Sequence, residues 1–219
     1  MSYHAILFDL DGLMIDTERV VLKAFRIATD ELGFELPPGL FPTLVGRTAK
    51  DSSAMILDAF GADFPLETFR ALTRSVYDRE IDENGIGLMP GIEPMLDYLV
   101  AKKIPYACAT STANERAWWK LHKAGIGHWF ETLVGGDEVE AGKPAPDIFF
   151  EAARRLGVDG DRCIVLEDSP NGVRAAAAAN MTPIMVPDMV QPDEYATSLA
   201  HAIVADLHHA RRLIDSMLD

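Results

Sequence analysis

A chain of 219 residues with 48% hydrophobic and 25% charged side chains is long enough for one well-buried core plus an insertion, and it has no run of about eighteen apolar residues to span a bilayer. Its formal net charge of −14 opposes binding to the nucleic-acid backbone, and also opposes any anionic small molecule unless positive charge is supplied locally. The opening Met1-Ser2-Tyr3-His4 lacks the basic region and cleavage site of a secretory signal, so a cytoplasmic chain is expected.

In chain order, residues 4–8 read as a buried strand that ends at Asp9. From Asp16 to about Leu88 the pattern is helical only, over 18–32, 50–60 and 66–81, with turn-rich stretches such as 33–42 between. A crossover between strands needs one helix, so residues 16–87 are expected as a helical cap domain inserted after the first strand, with hinges near Ile15 and Gly87 and the position of a lid. Further strands are expected at 104–109, 132–134, 163–166 and, last, 183–186, alternating with helices over 92–101, 114–124, 147–156 and 172–179. That alternation predicts an α/β fold, a doubly wound and mostly parallel sheet with helices on both faces, formed by residues 1–15 and 88–219.

Smaller expectations follow from the same reading. Cys108 and Cys163 lie inside core strands and should be buried free thiols. The small-residue run 175–179 predicts a helix packed close to the sheet and ended by Asn180 in the left-handed conformation. Asp147, after Pro146, reads as a helix cap, and His208-His209 as part of a solvated, polar terminal segment.

Four polar clusters each follow a strand: Asp9-Leu10-Asp11-Gly12, Thr110-Ser111-Thr112, Gly142-Lys143-Pro144 and Glu167-Asp168-Ser169. The carboxyl ends of the strands in a doubly wound sheet share one edge, where ligands bind, so the clusters should converge there. Convergence crowds Asp9, Asp11, Glu167 and Asp168 together, and two like charges about 4 Å apart cost roughly 4 kcal/mol at an effective dielectric of about 20. Cations, protonation or both must relieve that repulsion. Lys143 supplies one positive charge, and hard oxygen ligands without a nearby His or Cys favour Mg²⁺ over Zn²⁺ as a second. Lysine and metal together would also admit an anionic substrate to an acidic protein.

The run from Asp9 to Glu18, Asp-Leu-Asp-Gly-Leu-Met-Ile-Asp-Thr-Glu, resembles the first motif of haloacid dehalogenase-like phosphatases, and Thr110, Lys143 and Glu167-Asp168 match the second, third and fourth. The segment Gly142-Lys143-Pro144-Ala145-Pro146-Asp147-Ile148-Phe149 is similar to the sugar-phosphate branch that includes β-phosphoglucomutase. The resemblance implies that Asp9 attacks phosphorus while its other oxygen binds Mg²⁺. It also implies that Asp11 is the general acid and base and meets the metal through its main-chain carbonyl. Thr110 would donate a hydrogen bond to the phosphate, Lys143 clamp phosphate and nucleophile, Asp168 ligate the metal, and Glu167 support it directly or through water. Ser111 and Asn114, near a helix N-terminus, suit the phosphate as further donors. Gly46-Arg47 is similar to the family's substrate-facing cap loop, with Arg47 set to contact a substrate anion, and Glu18, Lys50 and Arg74 are further cap candidates.

The implied activity is Mg²⁺-dependent hydrolysis of a small phosphorylated metabolite through a phospho-aspartate on Asp9, by a monomer without nucleic-acid or membrane partners. A sugar phosphate is the first substrate class, with phosphoglycolate and nucleotides as competitors. Two other readings stay open. A β-phosphoglucomutase-like phosphotransferase is disfavoured by Val20-Val21, where those enzymes carry a histidine on the first cap helix. A non-catalytic binding protein predicts loss of Asp9, Asp11, Lys143 or Asp168, and all four are present.

Overall fold

The computed structural model describes residues 3–45 and 49–218, and the expectations for Gly46 and Arg47, and for the Lys50 side chain, lie outside the described residues. The elements in chain order are β1 (Ala5–Phe8), α1 (Thr17–Glu31), α2 (Leu40–Leu44), α3 (Ala49–Phe60), α4 (Leu66–Asn84) and α5 (Ile92–Lys102). They continue with β2 (Tyr106–Ala109), α6 (Asn114–Lys123), β3 (Leu133–Val134), α7 (Asp147–Leu156), β4 (Cys163–Glu167) and α8 (Pro170–Ala178). The last are β5 (Thr182–Met185), α9 (Glu194–Leu199), β6 (Ala202–Ile203) and α10 (Leu207–Leu218). The chain divides into two compact units, Met1–Ile15 with Gly87–Asp219, and Asp16–Ile86.

In the first unit the six strands form one sheet in the order β3-β2-β1-β4-β5-β6, and every pairing is parallel. The chain starts at β1 in the middle, runs outward through β2 and β3, then returns to lay β4, β5 and β6 on the other side. The order reverses between β1 and β4, and such a switch point opens a crevice at the carboxyl ends of the strands. All four residues of β1 are fully buried. A strand covered on both faces reads as a continuous apolar run because neither face meets water.

The two faces of β1 differ in what covers them. Ala5 and Leu7 join Ala107, Ala109, Cys163 and Val165 in a cluster closed by Ile148, Phe149 and Ala152 of α7 and Ala175 and Ala176 of α8. Phe8 lies edge-on to Tyr106 and Phe130, with ring centroids 6.3 and 6.4 Å away. The alanines of α8 present only methyl groups to the sheet, and Asn180 closes the turn after the helix with φ 58°. Cys108 and Cys163 are buried and free.

The structure extends past the last expected strand. β6 is two residues long, too short for an alternating pattern to register. The terminal segment expected to be polar is helix α10, which buries Leu207, Ala210 and Ile214 at spacings of three and four and turns His208 and His209 outward. Tyr98 of α5 donates its hydroxyl to Asp215 of α10 at 2.7 Å. A short helix, α2, also begins within the stretch expected to be turn-rich. Asp147 is the first residue of α7 and not its cap, because Pro146 holds the cap position and no side chain caps that end.

The second unit has an aromatic core of its own. Phe25 of α1 meets Phe41 and Phe69 edge-on at 5.3 and 4.9 Å, and Phe60 stacks on Phe64 at 4.4 Å, around buried Ala28, Leu44 and Ile56. Lys23 of α1 pairs with Glu80 of α4 at 2.5 Å. Among the described residues, no helix is long and apolar enough to cross a membrane.

Candidate active site

Strand register decides which side chains meet. Phe8 lies opposite Cys108 on one side and Leu166 on the other, so the next residue, Asp9, leaves the sheet level with Ala109 and Glu167. The Asp9 amide still donates to Leu166 O at 3.0 Å, and the Thr110 amide to Val134 O at 3.0 Å, so both residues sit on the last rung of the ladder.

Lys143 reaches this edge from the loop before α7. Its ammonium donates to Asp9 Oδ1 at 2.5 Å, Glu167 Oε1 at 2.6 Å and Ala109 O at 3.0 Å. A lysine has three donors, and here each has an acceptor. The side chain is only 5% exposed. Burial works against the lysine charge, but Asp9 and Glu167 outweigh it and hold the group above its ordinary value. Burial pushes Asp9 up to about 7 against the pull of Lys143, with Glu167 and Asp11 adding to the rise.

Glu167 is held at both oxygens. Its Oε2 accepts from the Ser169 amide at 3.2 Å and hydroxyl at 3.0 Å, and Ser169 Oγ in turn accepts from the Gly172 amide, capping α8. A Cβ at Gly172 would fall 1.8 Å from the Glu167 carboxyl carbon, so the carboxylate occupies space that only glycine leaves open. Gly12 plays the same part for Asp168. It has φ 81°, and a Cβ there would lie 2.4 Å from Asp168 Oδ2.

Asp11, two residues beyond Asp9, is held by a different set of donors. Thr112 Oγ1 donates to Asp11 Oδ2 at 2.7 Å, and Lys120 Nζ donates to Asp11 Oδ1 at 2.6 Å and to Thr112 Oγ1 at 3.1 Å. Lys120 was not among the residues the sequence singled out. Its signal was a charged residue in the buried stripe of α6 with Ala117 and Leu121, a position where lysine is rare unless paired.

The other expected donors, Thr110, Ser111 and Asn114, follow β2. Thr110 is buried, and its Oγ1 accepts from the Thr112 amide at 3.1 Å, leaving its hydroxyl proton to be donated. Ser111 is exposed. Asn114 is engaged with the acidic turn after β3, its amide donating to Asp137 Oδ1 at 2.7 Å and its Nδ2 to Glu138 Oε2 at 2.6 Å.

Carboxylate oxygens of Asp9, Glu167 and Asp168 lie within 4.8 Å of one another. This donor set suits a small hard cation, which takes oxygen ligands at about 2.1 Å. Charge points the same way. Asp9, Asp11, Glu167 and Asp168 against Lys143 and Lys120 sum to two formal negative charges, which one divalent ion would balance.

A family model described as haloacid dehalogenase-like hydrolase matches residues 6–186. The phosphorylated carbohydrates phosphatase of Thermotoga maritima is 30% identical over 181 residues, 81% of this chain and 82% of that protein. The fructose-1-phosphate phosphatase YqaB of Escherichia coli is 31% identical over 84% of this chain and 96% of its own length. Among solved structures, CbbY of Rhodobacter sphaeroides in complex with phosphate superposes with a TM-score of 0.76 at 28% identity, covering 94% of this chain and 95% of that one. With the sheet order, the clustered carboxylates and the family match in agreement, this chain belongs to the haloacid dehalogenase-like hydrolases.

Proposed function

We propose that this phosphoric monoester hydrolase releases phosphate from a small phosphorylated metabolite, a sugar phosphate by class, through a phospho-aspartate on Asp9 and with Mg²⁺ bound. The observation that carries the reading is a division of labour between neighbouring carboxylates. Asp9 is buried against Lys143, with Glu167 and Asp168 beside it, while Asp11 is held apart by Lys120 and Thr112. Relatives named for phosphorylated carbohydrates and for fructose 1-phosphate support the substrate class.

In the proposed first step, an Asp9 oxygen attacks phosphorus, the ester P–O bond breaks, and protonated Asp11 gives its proton to the leaving oxygen. Water then attacks the acyl phosphate and gives a proton back to Asp11, and the bond from phosphorus to Asp9 breaks to release phosphate. Lys143 keeps Asp9 in place and sets a fixed positive charge beside the transferring group, which is the kind of preorganised stabilisation that phosphoryl transfer needs. Thr110 has a hydroxyl proton to offer a phosphoryl oxygen. When bound, Mg²⁺ held by Asp9, Asp168 and the Asp11 carbonyl, with Glu167 in support, supplies positive charge against the phosphoryl oxygens. Substrate preference is assigned to the helical unit, with Arg47 as its anion contact.

A panel of phosphorylated metabolites incubated with Mg²⁺ tests the reading. Phosphate release that stops on chelation and in Asp9→Asn, with radiolabelled phosphate trapped on the wild-type protein by acid quench, is the expected result. Release that survives both the chelator and Asp9→Asn would sink it, and an isomerised sugar phosphate without free phosphate would move the chain to the transferases.

A further inference from the structure

We propose that Lys120 is a positioning residue for Asp11, holding that carboxylate in the orientation proton transfer needs; this rests on reading Asp11 as the general acid and base. The evidence is a closed ring of three hydrogen bonds. Lys120 donates to one oxygen of Asp11 and to Thr112 Oγ1, and Thr112 donates its own proton to the other oxygen of Asp11. Both carboxylate oxygens are thereby tied, one to α6 and one to the loop after β2, so the carboxylate plane is fixed from two directions.

The lysine is not where packing alone would put one. Its side chain is 11% exposed and lies in the apolar stripe of α6 with Ala117 and Leu121, where a methionine or leucine would fill the space without burying a charge. Desolvating an ammonium is tolerable only with a partner, and the partner is the residue assigned to move the proton. Lys143 is fully committed to Asp9, Glu167 and Ala109, so it does not do this work for Asp11.

A general acid matters most when the leaving group is poor, since a good leaving group departs without a proton. The test therefore measures kcat/KM, which reports on phosphoryl transfer to Asp9, for ethyl phosphate, phenyl phosphate and p-nitrophenyl phosphate. Lys120→Met should lower kcat/KM for ethyl phosphate roughly 10²-fold, the scale of loss when a reacting group is misplaced by about 1 Å. That loss should exceed the loss on p-nitrophenyl phosphate at least tenfold. Asp11→Asn should discriminate in the same direction, and the double variant should be no worse than Asp11→Asn alone, since the lysine acts only through the aspartate. Thr112→Val keeps both charges and should steepen the dependence on leaving group to a smaller degree, so it carries the test if Lys120→Met fails to fold.

Equal losses on all three esters in Lys120→Met and Thr112→Val, alongside a discriminating Asp11→Asn, would overturn the positioning role and leave the reading of Asp11 standing. An Asp11→Asn variant that treats the three esters alike would instead remove that reading, and the proposal with it.

Discussion

Two lysines meet the acidic edge of the sheet, and each answers to a different carboxylate. Lys143 comes from a loop, spends all three protons, and binds Asp9 and Glu167 with a side chain 5% exposed. Lys120 comes from the buried stripe of a helix and shares its protons between Asp11 and the hydroxyl that also holds Asp11. The proposed nucleophile and proton carrier are two residues apart in the chain, yet each has its own counter-charge. The contrast shows how a fold can keep adjacent aspartates in distinct states. One is locked against a fixed cation, and the other is held in a small hydrogen-bonded ring.

That contrast can be broken most severely at Lys143. Lys143→Met should lower turnover by roughly 10²–10³-fold or more on every ester, good and poor leaving groups alike, because a charge aimed at the transferring group is lost. An assay over the ester series that showed discrimination by leaving group in this variant would blur the distinction between the two lysines. The next largest effect is expected at Gly12. An alanine there needs φ 81° and would crowd Asp168 Oδ2, so Gly12→Ala should raise the half-saturating Mg²⁺ concentration by roughly 10–100-fold, as loss of support around a ligand does. Magnesium titration of activity would measure it, and an unchanged half-saturation would remove Asp168 from the metal site.

Gly172→Ala is smaller and tests the Lys143 side. Alanine favours a helix over glycine by about 1 kcal/mol, but its methyl would occupy the place of the Glu167 carboxylate, and overpacking of that kind costs roughly 1–3 kcal/mol. A net fall in melting temperature is expected, and a rise would mean that Glu167 moves aside freely. The smallest effect is expected at the thiols. Burial raises Cys108 well above its ordinary value, with Asp9 adding to the rise, and burial pushes Cys163 up to about 11. A raised thiol keeps its proton as pH climbs, so at pH 8 neither offers much thiolate and an aromatic disulfide reagent should not label the native protein. Both should react after unfolding, and rapid native labelling of Cys108, opposite Phe8 in the sheet, would show that the floor of the site is open.

What the sequence disclosed follows from the range over which its signals act. Asp9 and Glu167-Asp168 were legible because each sits in a contiguous motif at a strand end, where topology alone brings them together, and Lys143, several residues beyond its strand, through its flanking Gly142 and Pro144. β1 was legible because a doubly covered strand has no polar residue to interrupt it. Lys120 was not, since its partner is 109 positions away and its only local mark is a charge in an apolar stripe. Asn114 has the look of a phosphate donor at a helix start, and its side-chain Nδ2 donates to Glu138, a residue of an acidic turn that the sequence does not pair with it. β6 escaped notice by its brevity, whereas α10 carried a readable spacing in Leu207, Ala210 and Ile214 that the surrounding histidines and arginines masked.

The alanine face of α8 has a consequence for how this enzyme can change over time. The helix is capped by Ser169, directly after Asp168, and lies against the sheet through Ala175 and Ala176, so its height above the strands is set by side chains of one carbon. Any larger residue there would lift the helix and carry Asp168 and the Glu167 clamp with it. Variation on this buried surface is thus constrained by the placement of Glu167 and Asp168 at the helix start, and drift should be far freer on the outward side of the same helix.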